Sequence, residues 1–267
     1  INNIFYLWLC PIALGACYYF IPKLSNTSIR SYHMSALAFW TFVLFASWSG
    51  LTYLIGAPVP VWLTTTSIVF AVSLIIPILI FYTNLIGTAL SNFSQFKNNL
   101  ALKFIIFGSA AFILHLIVKI GLSIRSFDAV AHFTMIYEAH HWHLIYGFFS
   151  MVFFGAFYYL VPTLLKHSYK STVLHNLHFI LSELGIIILL VALYGGGWQQ
   201  GTQFANIELS FLQMANNLTF WMQFKLIGLV VLFMANLLFA FNVIALLLSK
   251  LLDVLPNFSN DEINLNT

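Results

Sequence analysis

Charge is the scarcest commodity in this chain: Asp, Glu, Lys and Arg together make up 6% of the 267 residues, against about 25% in an ordinary soluble domain. A water-soluble surface cannot be covered with so few ions, and a disordered chain needs more charge and less hydrophobicity. There are two cysteines, too few for a disulfide scaffold or an iron–sulfur or structural zinc framework. Cys10 and Cys17 fall on one helix face about 10 Å apart, beyond disulfide reach. No Walker loop, no Gly-x-Gly-x-x-Gly after a strand and no Cys-x-x-Cys-His occurs, which leaves out nucleotide cradles and covalently attached haem. The net charge of +3 is too small for a nucleic-acid surface.

What fills the chain instead is apolar sequence, 61% of all positions. Windows at 4–22, 34–55, 63–89, 101–124, 136–163, 173–196 and 218–249 are each long enough to span a bilayer. Lipid offers the backbone no hydrogen bonds, so each window is predicted helical. Their continuous hydrophobicity excludes the alternating pattern of an outer-membrane barrel. The fold class is therefore all-α: a polytopic transmembrane bundle of about seven spans, one domain over 1–255, with a polar, Asn-rich and frayed tail over 256–267. The chain starts at Ile1 without a charged leader, which suggests an upstream part.

If the spans alternate, one side receives Lys23, Arg30, Lys97, Lys103, Lys166, Lys170 and Lys250 and the other only Arg125, with Lys119 and Lys225 inside helices. The positive-inside rule puts the first side in the cytoplasm. The turn Gly56-Ala57-Pro58-Val59-Pro60 and the Gly-rich run Gly195–Gly201, read as a loop, then face the opposite side. Trp8, Trp62, Trp198 and Trp221 stand where interfacial belt residues would.

Polar groups inside spans are rare and tend to be functional. The densest set is Glu138-Ala139-His140-His141-Trp142-His143 at the start of the fifth window. At 100° per residue His141 and His143 point about 200° apart, whereas His140 and His143 share a face. A His-x-His helix can offer one imidazole to each of two flanking haems; a single zinc would want convergent ligands. Interfacial histidines solvated by headgroups are the plain alternative. His115 and Lys119 form an i, i+4 pair in the fourth window: a proton path, or more simply a histidine bonded to a neighbouring helix and a lysine reaching for the boundary. Glu183 is either a protonated structural carboxyl or a partner for Lys119. His33, His132, His167, His175 and His178 read as solvated loop or helix-end residues.

Taken in order, Tyr18-Tyr19-Phe20-Ile21-Pro22-Lys23, Trp48-Ser49-Gly50, Gly56-Ala57-Pro58-Val59-Pro60, Arg125-Ser126-Phe127, His132-Phe133-Thr134, Tyr146–Ala156, Tyr158-Tyr159-Leu160-Val161-Pro162 and the Gly-Gly-Gly-Trp-Gln-Gln-Gly run resemble subunit I of the cbb(3)-type cytochrome c oxidases. These belong to the haem-copper oxidase superfamily. The resemblance covers that subunit's sixth to twelfth helices. It implies that Asn2, Thr52 and Tyr53 occupy the positions of the three copper-ligating histidines, and Ala46 that of the redox tyrosine. An amide, a hydroxyl and a phenol do not hold copper as imidazoles do, so copper is not expected. The resemblance also implies axial haem ligands in the fifth window. An ungapped register makes His140 one ligand and puts Trp142 in the second place; a one-residue slide, absorbed by a π-bulge, selects His141 and His143.

The expected protein is a multi-pass subunit of a respiratory terminal oxidase, in the bacterial cytoplasmic or mitochondrial inner membrane. It would carry or support electron transfer through one or two b-type haems on His141, His143 or His140. Implied partners are a chain supplying the first five helices and c-type cytochrome subunits. A haem-free structural paralogue and a nitric oxide reductase-like subunit are the alternatives.

Overall fold

The computed structural model describes residues 2–169 and 171–264, and the side chains of all of these except Phe93 and 254–264. Lys170 of the cytoplasmic charge set and residues 265–267 of the polar tail lie outside the described residues. Seven helices are long and apolar enough to cross a membrane: α1 Asn2–Ser25, α2 Tyr32–Leu54, α3 Val61–Leu90, α4 Leu100–Ser123, α5 Met135–Leu165, α6 Thr172–Phe204 and α7 Thr219–Asp253. Each matches one predicted window, three of which overrun their helix by a single residue, and among the described residues there is no strand. The backbone of α7 stays helical to Asn264, so the tail read as frayed is helical as far as it is described.

Helix ends follow local side-chain chemistry. The hydroxyls of Ser31 and Ser171 and the amide oxygen of Asn99 accept from backbone N–H groups of the first turns of α2, α6 and α4. α1 and α5 end alike: a proline in the last turn, Pro22 or Pro162, then a left-handed residue, Asn26 or Lys166. The N–H beyond each returns to the proline carbonyl, from Thr27 at 3.1 Å and from His167 at 3.2 Å. α3 breaks at Leu74, three residues before Pro77, whose ring nitrogen has no hydrogen to donate.

α4 lies at the centre, with 67% of its most apolar window buried, while α2 and α7 lie at the periphery with 22% each. Lipid supplies no hydrophobic force between helices, so close contact depends on small residues. A Cβ on Gly108 of α4 would sit 2.7 Å from Val152 Cγ2, and one on Gly155 of α5 2.6 Å from the Ala101 carbonyl. Between α6 and α7, a Cβ on Gly228 would stand 2.8 Å from the Leu189 nitrogen. Phe112 and Phe148 stack across the α4–α5 seam at 4.3 Å.

The Gly195–Gly201 run is not a loop; it is the last part of the 33-residue helix ending at Phe204. Glycine weakens a helix when nothing approaches it, but here every added Cβ would collide. At Gly195 the obstacle is Trp221, at Gly196 Met135 and Trp221, at Gly197 the backbone nitrogen of Ile136, and at Gly201 the carbonyl of Val130. The run lets α6 press against α5 and α7. Trp221 is correspondingly an internal contact, donating to Gln199 Oε1 at 2.6 Å.

Candidate functional site

The ends of α2 and α4 and the starts of α1 and α5 meet at one end of the bundle, opposite the Lys-rich loops. They enclose a cavity of about 560 Å³, within the ordinary range for ligand clefts. Its walls include Asn2, Tyr6, Tyr53, His115, His140 and His141, with Phe5 and Leu144 as apolar lining.

The three histidines of α5 have different surroundings. His140 is buried and stacks on His115 of α4, with ring centroids 3.9 Å apart and 14° between planes. The Tyr6 hydroxyl joins them, 2.6 Å from His115 Nε2 and 3.5 Å from His140 Nε2. The Nδ1 atoms of both rings are buried with no hydrogen-bond partner among the described residues. His143, on the same face, meets His115 edge-on at 5.6 Å. Its Nδ1 lies 3.4 Å from the Tyr194 hydroxyl. His141 points away from this pair, half-buried on the cavity wall 6.3 Å from Phe5, and among the described residues its ring makes no hydrogen bond. The divergence of His141 from His143 thus matches helical phase. A π-helical stretch, His143–Ser150, follows the cluster directly.

On the α1–α2 side, Asn2 donates to the Ala46 carbonyl at 3.3 Å and accepts from Lys119 Nζ at 3.1 Å. A Cβ on Gly50 would overlap the Asn2 side chain, so the glycine gives the amide its room. Thr52 turns its hydroxyl onto the Ser49 carbonyl at 3.0 Å within a 3-10 turn. Tyr53 packs against Tyr137 at 5.2 Å. Lys119 is 3% exposed; its ammonium lies 4.5 Å above the Tyr6 ring and 5.6 Å from the Tyr53 centroid. Glu183 is not its partner: among the described residues no Asp or Glu pairs with Lys119. Among them, too, no three His, Cys, Asp or Glu side chains converge to hold a metal ion.

Several histidines read as solvated are not. His178 is fully buried with Nδ1 2.8 Å from the Tyr158 hydroxyl, and His175 is 9% exposed against Tyr169 at 4.2 Å. Burial pushes the Tyr169 phenol, in the α5–α6 connection, up to about 12. His132 pairs with buried Asp128 at 3.0 Å, and Tyr137 donates to the same carboxylate at 2.5 Å. The clue was available for His178: with Ser182, Gly185 and Leu189 it forms an i, i+4, i+7, i+11 stripe, and all four are buried.

Residues 2–250 match the family described as Cytochrome C and Quinol oxidase polypeptide I. Relatives include a cytochrome c oxidase subunit 1 homolog from Agrobacterium tumefaciens (strain T37), 29% identical over 188 residues, covering 70% of this chain and 35% of that protein. The Cbb3-type cytochrome c oxidase subunit CcoN1 of Stutzerimonas stutzeri is 26% identical over 196 residues, 73% of this chain and 41% of the relative. A further subunit 1 homolog, from Azorhizobium caulinodans, is 24% identical over 237 residues, 86% and 43% respectively. The chain thus spans well under half the length of the relatives it matches.

Proposed function

Because this chain belongs to the cytochrome c and quinol oxidase polypeptide I family, we propose that it serves a respiratory terminal oxidase as a haem-holding membrane subunit whose second-metal site has been given up. The observation that carries this reading is His141: an imidazole without a hydrogen-bond partner among the described residues, on the wall of a 560 Å³ cavity lined by apolar and aromatic side chains. Neutral imidazole is the usual axial donor to haem iron. When bound, a b-type haem would supply reversible one-electron exchange.

The chain's own part is to position, enclose and exclude. His141 would hold the iron, with Phe5 and Leu144 as part of the wall. His140 is the weaker candidate, since its ring is stacked on His115 and faces the Tyr6 hydroxyl. His143 is engaged by Tyr194 and does not line the cavity, so a second haem on it would require that contact to open. Copper does not fit the donor set. The Asn2 amide oxygen is occupied by an ammonium, the Thr52 hydroxyl by a carbonyl, and neither is a soft or imidazole donor. Electron transfer, a complementary chain bearing the remaining helices, c-type cytochrome partners and an inner-membrane location complete the proposal.

A second reading, a haem-free paralogue filling the place of subunit I, is favoured by the way Tyr6, His115, His140, His143 and Tyr194 satisfy part of one another's hydrogen bonding. A reduced-minus-oxidised spectrum of the complex purified in mild detergent separates the two. The first reading expects a b-type band that His141→Ala removes and His143→Ala leaves largely intact. If no such band is assignable to this chain, the haem-free reading holds. Stoichiometric copper bound to this chain would refute the loss of the metal.

A further inference from the structure

We propose that a second cavity, between the start of α4, the end of α5 and the start of α6, binds the phosphodiester head group of an anionic membrane lipid. It lies at the Lys-rich end of the bundle, away from the histidine cavity, and depends on neither the haem reading nor the loss of the metal.

Space and donors coincide there. A cavity of about 430 Å³ is walled by Asn99, Leu100 and Ala101 at the start of α4, by Tyr159 and Thr163 of α5 and by His175 of α6. α4 runs for 24 residues, and the N–H groups of Leu100 and Ala101 have no acceptor within it, so this end carries the positive pole of its dipole. The Asn99 side-chain oxygen caps the Leu102 N–H at 3.1 Å, which leaves its NH2 group to donate elsewhere. The amides of Gln95 and Asn98 also line the cavity, and neither has a hydrogen-bond partner among the described residues. A helix start attracts anions through its backbone alone; what marks this one as a built site is His175. It is 9% exposed, it lines the same cavity, and its ring makes no hydrogen bond among the described residues, where a buried polar group is ordinarily paired. Its Nε2 is sealed inside the fold, whereas Nδ1 is not, and Nδ1 is the nitrogen left for the cavity.

The charge around it is one-sided. No Asp or Glu lines the cavity. Lys97 and Lys103 stand within four residues of Asn99, and the Lys23 ammonium lies 5.4 Å from the centroid of the Tyr159 ring, one of the walls. A phosphate is attracted here, while the ammonium of a zwitterionic head group would meet cations and no carboxylate. The neighbouring surface favours a lipid over a free ion. Asn98 and Thr163 line the cavity and are exposed, so it opens at the helix ends. On the same face of α5 as Thr163, Phe153, Phe157, Leu160 and Leu164 form an exposed apolar stripe running into the bilayer, a track for an acyl chain. Lysines at the cytoplasmic boundary concentrate anionic lipid at this level.

Native mass spectrometry of the complex, titrated with phosphatidylglycerol and separately with phosphatidylcholine, reads the site. Wild type is expected to take up phosphatidylglycerol saturably and about tenfold more tightly than phosphatidylcholine. Gln95→Glu combined with Asn98→Asp puts two carboxylates among the donors and should erase that preference. Ser168→Asp, exposed at the same end but outside the lining, should change it by less than about twofold, because salt screens a charge placed in solvent. Equal affinity for the two lipids, an unchanged preference in the double variant, or an equal loss in Ser168→Asp overturns the site. Displacement of phosphatidylglycerol by equimolar inorganic phosphate overturns the lipid as occupant. If the double variant does not fold, wild type decides: phosphatidylglycerol with a photoreactive diazirine in its head group should label residues within 95–101 or 163–175. Labelling confined to other segments or other subunits refutes the proposal. A preparation without b-type haem would remove the haem reading and leave every one of these measurements interpretable.

Discussion

Replacing Tyr6 with Phe removes one hydroxyl from the middle of the bundle and should cost about 1–2 kcal/mol. That hydroxyl, 2.6 Å from Nε2, is the one hydrogen-bond partner that the described residues give the His115 ring, because its Nδ1 has none. A buried polar group stripped of its partner costs about 1–3 kcal/mol in water-soluble proteins. In membranes the mean coupling falls to about 0.6 kcal/mol, with a maximum near 1.7, because the unfolded helices also find partners. The short distance and full burial place this pair at the upper end. Phenylalanine keeps the ring, so the stacking on His115 at 5.9 Å and the Lys119 contact at 4.5 Å survive and the deficit reports the hydrogen bond. His115→Leu removes the orphaned nitrogen as well, so Tyr6→Phe combined with His115→Leu should cost about 1 kcal/mol less than the sum of the single changes. Reversible unfolding in mixed micelles, or steric trapping in bicelles, measures the cycle. A coupling within about 0.3 kcal/mol of zero would refute the account of the His115–Tyr6 pair.

Gly201→Ala should destabilise by about 2 kcal/mol or more, since the new Cβ meets the Val130 carbonyl, which as backbone cannot swing aside; thermal melting in detergent reads it. Gly15→Ala meets nothing within 4 Å and should be neutral or stabilising by about 0.5–1 kcal/mol in the same assay. Glu138→Gln breaks the 2.7 Å pair to Lys225, whose side chains are 40% and 22% exposed, so the loss should stay below about 1 kcal/mol and vanish at high salt.

The seven spans were legible because lipid imposes a length and an all-helical backbone on every apolar run, and those rules act locally. The divergence of His141 from His143, and the shared face of His140 and His143, followed from helical phase alone. The same local rules misread the glycine run. Glycine lowers intrinsic helix propensity, so seven residues with four glycines suggest a turn; what makes them helical is Trp221, 26 positions beyond Gly195, together with Ile136 and Val130 far upstream.

The partner of Lys119 was illegible for a related reason. Within a window, periodicity says which face a side chain takes, but not which other helix that face will meet. Glu183 stood open between a protonated structural carboxyl and a counter-charge for Lys119, because a buried lysine can call for a carboxylate. The structure instead brings Asn2 from 117 positions away and two aromatic rings. In the sequence Asn2 stands at the place the resemblance gives to a histidine, and Lys119 pairs at i, i+4 with His115, two unrelated features. They turn out to describe one place, where the Asn2 amide oxygen accepts from the Lys119 ammonium. Substitutions at two helices that look independent along the chain are then coupled in space. Removing Lys119 should therefore loosen Asn2 and α1 even in a protein that binds no cofactor.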